Sequence, residues 1–510
     1  MYKTILRTCL IFGLLTLTSL VAFAQDTPLV PFSDDTYGIQ GLIPDGWQSQ
    51  NDTTIYTRQS TPTDLATLIL QSAPLSIDRL WPLLLPQLGL DEIPESVGTY
   101  TTDALEWSLY NFDYTQGDIT VEFDLGLAEL NGTTYLALLQ AAPEEYDTLH
   151  ESVFLPVLDA LQLLEDEDVP YLVEDVTFDN GDVTLAGTLT LPDTDGQHPA
   201  VVLMTGSGQQ NRDEMVVPGF PIFKLIADHL TRNGIAVLRY DDRGVGQSGG
   251  DYNASSIYDF AADGEAAIAY LKTRDDINPD QVGVLGHSEG GVDASIIGAN
   301  PDSGAAFIIS MAGTAVDGQA VLLRQNELIM QSGDATDAQI QSQLDFLNSI
   351  FAPVAERDWE TVGDLVHQHV IAQWDMLTDE ERAATGAADA EAFAQREMDS
   401  FLQGYATESF ATFLEYNPGA GWAQTTVPVL GIFGSLDLQV DAEQNAGPME
   451  AALSEAGNED FTVVTIEGAN HLFQAAETGS VAEYISLPKE FTAEFLPTVT
   501  DWLLAHVDVN

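Results

Sequence analysis

The sequence predicts an α/β domain: a mostly parallel sheet flanked by helices, carrying a helical insertion and preceded by a small α+β domain. Three observations carry this expectation. From residue 171 onward, short apolar runs alternate with stretches of helical spacing, the order that winds a parallel sheet between layers of helices. Over about 316–421 the pattern turns helical and rich in Gln, Ala and Asp, and a strand-like run at 427–433 then resumes the sheet. The chain has 510 residues, more than one hydrophobic core serves, so two or three domains are expected.

The first residues have the form of a secretory signal over 1–24. Lys3 and Arg7 precede an apolar run from about 10 to 24, and Ala22-Phe23-Ala24 has the small-x-small form of a cleavage site. The run is shorter than the roughly twenty residues a membrane span needs. The expected location is therefore secreted or periplasmic, with no stable membrane insertion once the signal is removed. The single cysteine, Cys9, lies inside this segment, so the exported chain has no thiol, disulfide or cysteine-based metal site.

Residues 26–165 read as an α+β domain. The runs 120–125 and 134–139 show partial two-residue alternation, and 146–164 has helical spacing. No catalytic constellation stands out there, and its role is left open. Residues 165–170, Glu-Asp-Glu-Asp-Val-Pro, form a charged linker.

The catalytic domain is expected over 171–510. Two antiparallel strands within 173–191 join at Asn180-Gly181, a strong hairpin signal. The continuous apolar run 200–204 suits a strand buried on both faces. A helix over 220–233, a strand at 235–238, a helix over 256–274 and strands at 281–285 and 305–310 follow. An insertion between two strands of one sheet would sit over the strand ends, so 316–421 is expected to act as a cap.

The chemistry is written in Gly286-His287-Ser288-Glu289-Gly290. This G-x-S-x-G follows a buried strand and precedes a helix over 291–299, the strand–turn–helix setting of a nucleophile elbow. A serine hydroxyl needs a base, and histidine suits neutral pH. Of eight histidines, His471 lies in the loop after the strand 461–466. His287, inside the elbow, is expected to point away from Ser288. Asp437, just after the strand 429–433, is expected to orient the imidazole. Its competitor Asp441 looks like a helix N-cap before Ala442. For the oxyanion, one donor should be the N–H of Glu289. The other should come from Thr205-Gly206-Ser207-Gly208, with Ser207 the first choice and Gly208 the second.

Several stretches together resemble a bacterial carboxylesterase family of α/β-hydrolases, related to acylaminoacyl-peptidase and dienelactone-hydrolase-like enzymes. They are residues 206–214 (Gly-Ser-Gly-Gln-Gln-Asn-Arg-Asp-Glu), 239–248 (Arg-Tyr-Asp-Asp-Arg-Gly-Val-Gly-Gln-Ser), 286–291, 436–440 and 470–474. The resemblance covers 171 to the C-terminus and leaves the first domain outside. It implies an esterase on short acyl chains, without metal or organic cofactor, with Ser288 as nucleophile, Asp437 as acid and His471 as base. Thr205 departs from it, since many relatives carry histidine before the oxyanion glycine, and that touches the rigidity of the loop.

Composition narrows the partners. Lys plus Arg number 16 against 80 Asp plus Glu, a net charge of −64. Such a surface repels nucleic acid and anionic lipid. The acids are spread along the chain, as a solvated surface requires, and a saline or acidic habitat would suit them. Within this acidic chain, Arg212, Asp213, Arg239, Asp242 and Arg243 are expected to form an ion-pair network bracing the oxyanion loop. The partner is then a small-molecule ester. A peptidase or amidase with the same triad, and a non-catalytic binding protein on a hydrolase scaffold, are the rival readings.

Overall fold

The computed structural model describes residues 27–509 except 35–36, 50–53, 60–63, 74–75, 91, 117–118, 131–132, 165–168, 218, 334, 380–381 and 383–384. The expected signal segment lies outside the described residues. The backbone divides into two compact units: one runs to Val169 and takes in 218–220, and the other holds the rest from Pro170 onward.

The first unit is built on a seven-stranded antiparallel sheet. Its long central strands are Thr67–Ala73, Thr133–Ala141, Ile119–Leu130 and Glu106–Gln116. Both faces are covered. Leu80 and Trp81 of the helix Ile77–Leu88 pack on Val121, Phe123, Leu125 and Leu127. Val153, Phe154, Val157 and Leu158 pack on Leu68, Leu70, Trp107 and Leu139. Apolar residues are thus needed on both faces, which is why two-residue alternation is only partial in the sequence. The closing helix expected over 146–164 is shorter. It runs as Tyr146–Leu149, a π-helical turn His150–Phe154, and Leu155–Ala160. Leu161 is extended, and Gln162–Leu163 leave as a strand pairing with Ile39 and Gln40.

The second unit holds an eight-stranded sheet: β1 (Tyr171–Asn180), β2 (Val183–Pro192), β3 (His198–Met204), β4 (Ala236–Tyr240), β5 (Ile277–His287), β6 (Ile308–Met311), β7 (Val429–Gly434) and β8 (Phe461–Ile466). The order is β1-β2-β4-β3-β5-β6-β7-β8. β1 pairs antiparallel with β2, β2 antiparallel with β4, and every other neighbour is parallel. All seven residues of β3 are buried, as its unbroken apolar run demands. The hairpin turn is centred on Gly181 (φ +61°) and Asp182, one residue later than expected, because Asn180 still pairs with Val183. β5 begins four residues before its apolar run, with Ile277 already in register with His198.

Helices α1 (Ile222–Arg232), α2 (Ile257–Lys272) and α3 (Glu289–Ala299) connect the early strands. α2 starts on a capping box, Ser256 and Asp259 serving each other's backbone N–H. Between β6 and β7 the insertion forms α4 (Gly318–Ser332), α5 (Asp337–Ala355), α6 (Trp359–Met376), α7 (Ala390–Tyr405), α8 (Glu408–Glu415) and α9 (Pro418–Trp422). Asp317, Thr336, Asp358, Asp389 and Thr407 each accept a backbone N–H at the start of the following helix. Part of the acid excess is therefore used in capping. The insertion has its own core around Ile350, Phe351, Val354, Val362 and Val366. It leaves from the carboxyl end of β6, the edge where open α/β sheets carry their sites. Helices α10 (Ala442–Glu455) and α11 (Phe495–His506) complete the layers.

Candidate active site

β5 delivers Ser288 at its carboxyl end, and α3 starts at the next residue. Ser288 sits at φ +54°, ψ −112°, a conformation a side chain rarely adopts and one that costs on the order of 1–3 kcal/mol. The flanking glycines make it possible. A Cβ on Gly286 would lie 1.9 Å from the Gly290 carbonyl oxygen, and one on Gly290 would lie 2.3 Å from that of Met204. Met311, the last residue of β6, accepts the Ser288 backbone N–H at 2.9 Å.

The loops after β7 and β8 bring the candidate base His471 and its candidate partner Asp437 together. His471 Nδ1 donates to Asp437 Oδ2 at 2.8 Å, and both side chains are buried. A carboxylate oxygen only accepts, so the proton sits on Nδ1 and leaves Nε2 to act as base. Asp437 Oδ1 accepts the N–H groups of Gln439 (2.8 Å) and Val440 (2.9 Å), which fix the carboxylate. Asn470 Oδ1 accepts from Leu472 and Gln474 N–H and holds the His471 loop closed on itself. Asp441 is engaged elsewhere: it caps α10 and receives Arg324 Nε at 2.7 Å. The His471 ring lies beside the elbow, its centroid 4.8 Å from that of His287. Neither the Ser288 hydroxyl nor His471 Nε2 makes a hydrogen bond among the described residues, so both are available to a reaction.

The loop after β3 closes on the same place. A Cβ on Gly206 would lie 3.2 Å from that of Ser288. Within this loop Gly206 N–H donates to Glu214 Oε1 at 2.7 Å, and Gly208 N–H donates to the Tyr252 hydroxyl at 2.9 Å. Gly208 therefore has no free donor here, which corrects its standing as an oxyanion candidate. The N–H groups of Ser207 and Glu289 have no partner among the described residues.

A family profile described as Hydrolase_4, serine aminopeptidase S33, matches residues 221–373, a stretch that contains Ser288 but neither Asp437 nor His471. The chain is 27% identical over 424 residues to esterase EstD of Thermotoga maritima, covering 80% of this chain and 82% of that protein. It is 32% identical over 142 residues to the quorum-quenching protein AidA of Acinetobacter baumannii, covering 28% and 44%. Among solved structures, an esterase of Pyrococcus furiosus aligns with a TM-score of 0.41 at 15% identity, over 66% of this chain and 93% of that one.

The chain has the α/β-hydrolase fold. Its likeness to EstD, over most of both chains, is a likeness to an esterase. Because residues 171–510 make up two-thirds of the chain and the EstD match covers 80%, that likeness extends into the first unit. This corrects the expectation that the first domain lies outside the resemblance.

Around the site, the protein arranges its few arginines as pairs. Arg212 meets Asp241 through Nε and Nη2 at 3.1 and 2.8 Å, Arg239 meets Asp213, and Arg243 meets Asp263 at 2.5 Å. Asp242, expected in this network, meets no arginine among the described residues. It accepts the Thr205 hydroxyl at 2.5 Å and the Gln210 N–H at 2.8 Å, and so ties down the loop after β3 itself. Thr205, the departure from the family pattern, is thus a fixed point of the loop.

Three features lay beyond the sequence reading. Glu214 and His287 form a buried pair behind the elbow. Tyr252 props the loop after β3 through the Gly208 N–H. A water-sized cavity beneath that loop is lined by Asp242, Glu289 and Asp293 along with Tyr252. Burial pushes the Glu289 carboxyl up to about 7, against the weaker opposing effect of its bond from Ser409 of α8, and pushes Asp242 and Asp293 well above the usual range. Of these three acids, Glu289 was singled out for its backbone and Asp242 for the arginine network, while Asp293 was not singled out. Among the described residues no cluster of three or more His, Cys, Asp or Glu could hold a metal ion.

Proposed function

We propose that this hydrolase cleaves carboxylic esters by two-step acyl transfer. In the first step His471 Nε2 takes the Ser288 proton as the hydroxyl oxygen bonds to the ester carbonyl carbon. The Ser207 and Glu289 N–H groups stabilise the tetrahedral oxyanion. His471 then gives its proton to the departing alcohol, leaving an acyl-serine. Water repeats the sequence, and the acid is released. Asp437 keeps the imidazole in the right tautomer and supports its cation. The observation that carries this reading is the Asp437–His471 bond of 2.8 Å beside a serine in the elbow conformation.

The substrates are small esters of short acyl chain, and the enzyme works outside the cytoplasm after removal of residues 1–24. No helix among the described residues is long and apolar enough to cross a membrane. Replacing Ser288 by alanine should abolish hydrolysis of p-nitrophenyl acetate and labelling by a fluorophosphonate while leaving the unfolding temperature near that of the parent. Turnover retained by that variant would refute the assignment. The family profile's aminopeptidase description favours one second reading, an amidase with the same residues. Parallel assays on p-nitrophenyl esters and aminoacyl p-nitroanilides separate the two.

A further inference from the structure

His287 is almost fully buried directly before the nucleophile, and both its ring nitrogens are engaged. Nδ1 lies 2.7 Å from Glu214 Oε1, and Nε2 lies 3.1 Å from the backbone carbonyl oxygen of His471. The two side chains are 2% and 1% exposed. A carbonyl oxygen can only accept, so Nε2 carries a hydrogen. Glu214 Oε1 already accepts the Gly206 N–H at 2.7 Å, so Nδ1 also meets an acceptor. Two acceptors on two nitrogens describe an imidazolium facing a carboxylate.

The pair touches each of the three segments that make the site. Gly206 immediately precedes the oxyanion donor Ser207, His287 immediately precedes Ser288, and the His471 carbonyl belongs to the base itself. Glu214 reaches this position at φ +46°, where a non-glycine residue is strained, and its Oε2 is buried without a partner among the described residues. A residue serving packing alone would not require a strained backbone and a half-satisfied buried carboxylate.

We infer that Glu214 and His287 form a buried imidazolium–carboxylate strut that sets the oxyanion loop and the base loop at their working distances from Ser288. Both are positioning residues, and neither meets the substrate. Burial alone would make the imidazole easier to deprotonate, but the Glu214 carboxylate and the His471 carbonyl reverse that and hold the proton on the ring. The geometry asks for charge as well as shape, so Glu214→Gln, which keeps the shape, is the informative change.

The inference rests on the Ser288–His471 reading, and the experiment separates the two. Wild type and Ser288→Ala are first titrated with a fluorophosphonate. A wild type that takes no label, or an active Ser288→Ala, overturns the reading and the strut with it. Glu214→Gln and His287→Gln are then compared per titrated site on p-nitrophenyl acetate. The strut predicts full labelling stoichiometry, kcat lowered about 100-fold and KM within a few-fold, since sub-ångström misplacement acts on the transition state. It also predicts a double variant no worse than the poorer single one. Losses that vanish when expressed per titrated site, or losses that multiply in the double variant, overturn it. Should either variant fail to fold, proton NMR of the wild type decides: two downfield ring N–H signals from His287 at neutral pH are expected, and only one overturns the strut.

Discussion

Two groups of buried carboxyls flank the nucleophile, and they are treated in opposite ways. On the side of β7 and β8, Asp437 has both oxygens met: two backbone N–H groups on Oδ1 and the His471 imidazole on Oδ2. On the side of β3 and α3, Glu289 receives one hydroxyl, from Ser409, and Asp293 Oδ1 receives nothing among the described residues. Asp242 receives two donors, yet shares its cavity with the other acids, and its carboxyl is pushed up chiefly by burial. The difference teaches that an acid's use in this protein depends on which partner reaches it. Asp437 holds an imidazole that it can orient as a base, whereas at Asp242, Glu289 and Asp293 burial outweighs the hydroxyl and amide donors present and raises the carboxyls.

Removing the well-partnered acid should give the larger effect. Asp437→Asn keeps the size of the side chain but allows the imidazole the wrong tautomer, and kcat on p-nitrophenyl acetate should fall about 10⁴-fold. Asp441→Asn should leave kcat within a few-fold and lower stability slightly through its cap and Arg324. The reverse pattern would place the orienting acid at 441 and break the comparison.

The poorly partnered side should show itself as stability against pH. Glu289 ionises near 4.5 when unfolded and near 7 when folded, because burial disfavours its charge. Its protonated form is therefore the one the fold prefers. The stabilisation it brings is complete below pH 4.5 and is lost as pH rises through about 7. Over that window the loss amounts to about 3 kcal/mol, at 1.36 kcal/mol for each unit. Glu289→Gln cannot ionise, so its urea midpoint should match wild type at pH 4.5 and exceed it at pH 8. Equal midpoints at both pH values would mean that the cavity accepts a charged Glu289, removing the contrast with Asp437.

Much of the site was legible because its parts are local. The elbow glycines, Ser288, and the loops carrying Asp437 and His471 announce themselves by residue type, order and the strands before them. The sheet was legible for the same reason: β3 and β8 are marked by runs whose composition leaves little choice. What was not legible depends on long-range meetings. His287 was expected merely to turn away from Ser288; its partner Glu214 lies 73 residues earlier, and the carbonyl it reaches 184 residues later. Asp242 was grouped with Arg212, Asp213, Arg239 and Arg243, which stand out together in so acidic a chain. Arg239 and Arg243 instead reach Asp213 and Asp263, and Asp242 turns to the oxyanion loop. Alternating directions along an extended segment decide such pairings, and charge pattern alone does not reveal them. The end of the helix at Ala160 was missed because 161–163 continue an apolar pattern while the backbone becomes a strand.

The smallest effect should come from Thr205, where the two treatments of acids meet. Its hydroxyl is one of the two donors that reach Asp242 among the described residues, and it favours the ionised carboxyl against burial. Thr205→Val keeps the shape and removes that donor, so Asp242 moves further toward the acids that hold their proton. A lost hydrogen bond of this kind costs about 1 kcal/mol, seen as a lower urea midpoint near neutral pH. Because Gln210 N–H still ties the loop to Asp242, the Ser207 donor should shift little and kcat should drop only a few-fold. A hundred-fold drop in kcat with an unchanged midpoint would instead make the Thr205 hydroxyl part of the reaction, and the acid it serves would belong with Asp437.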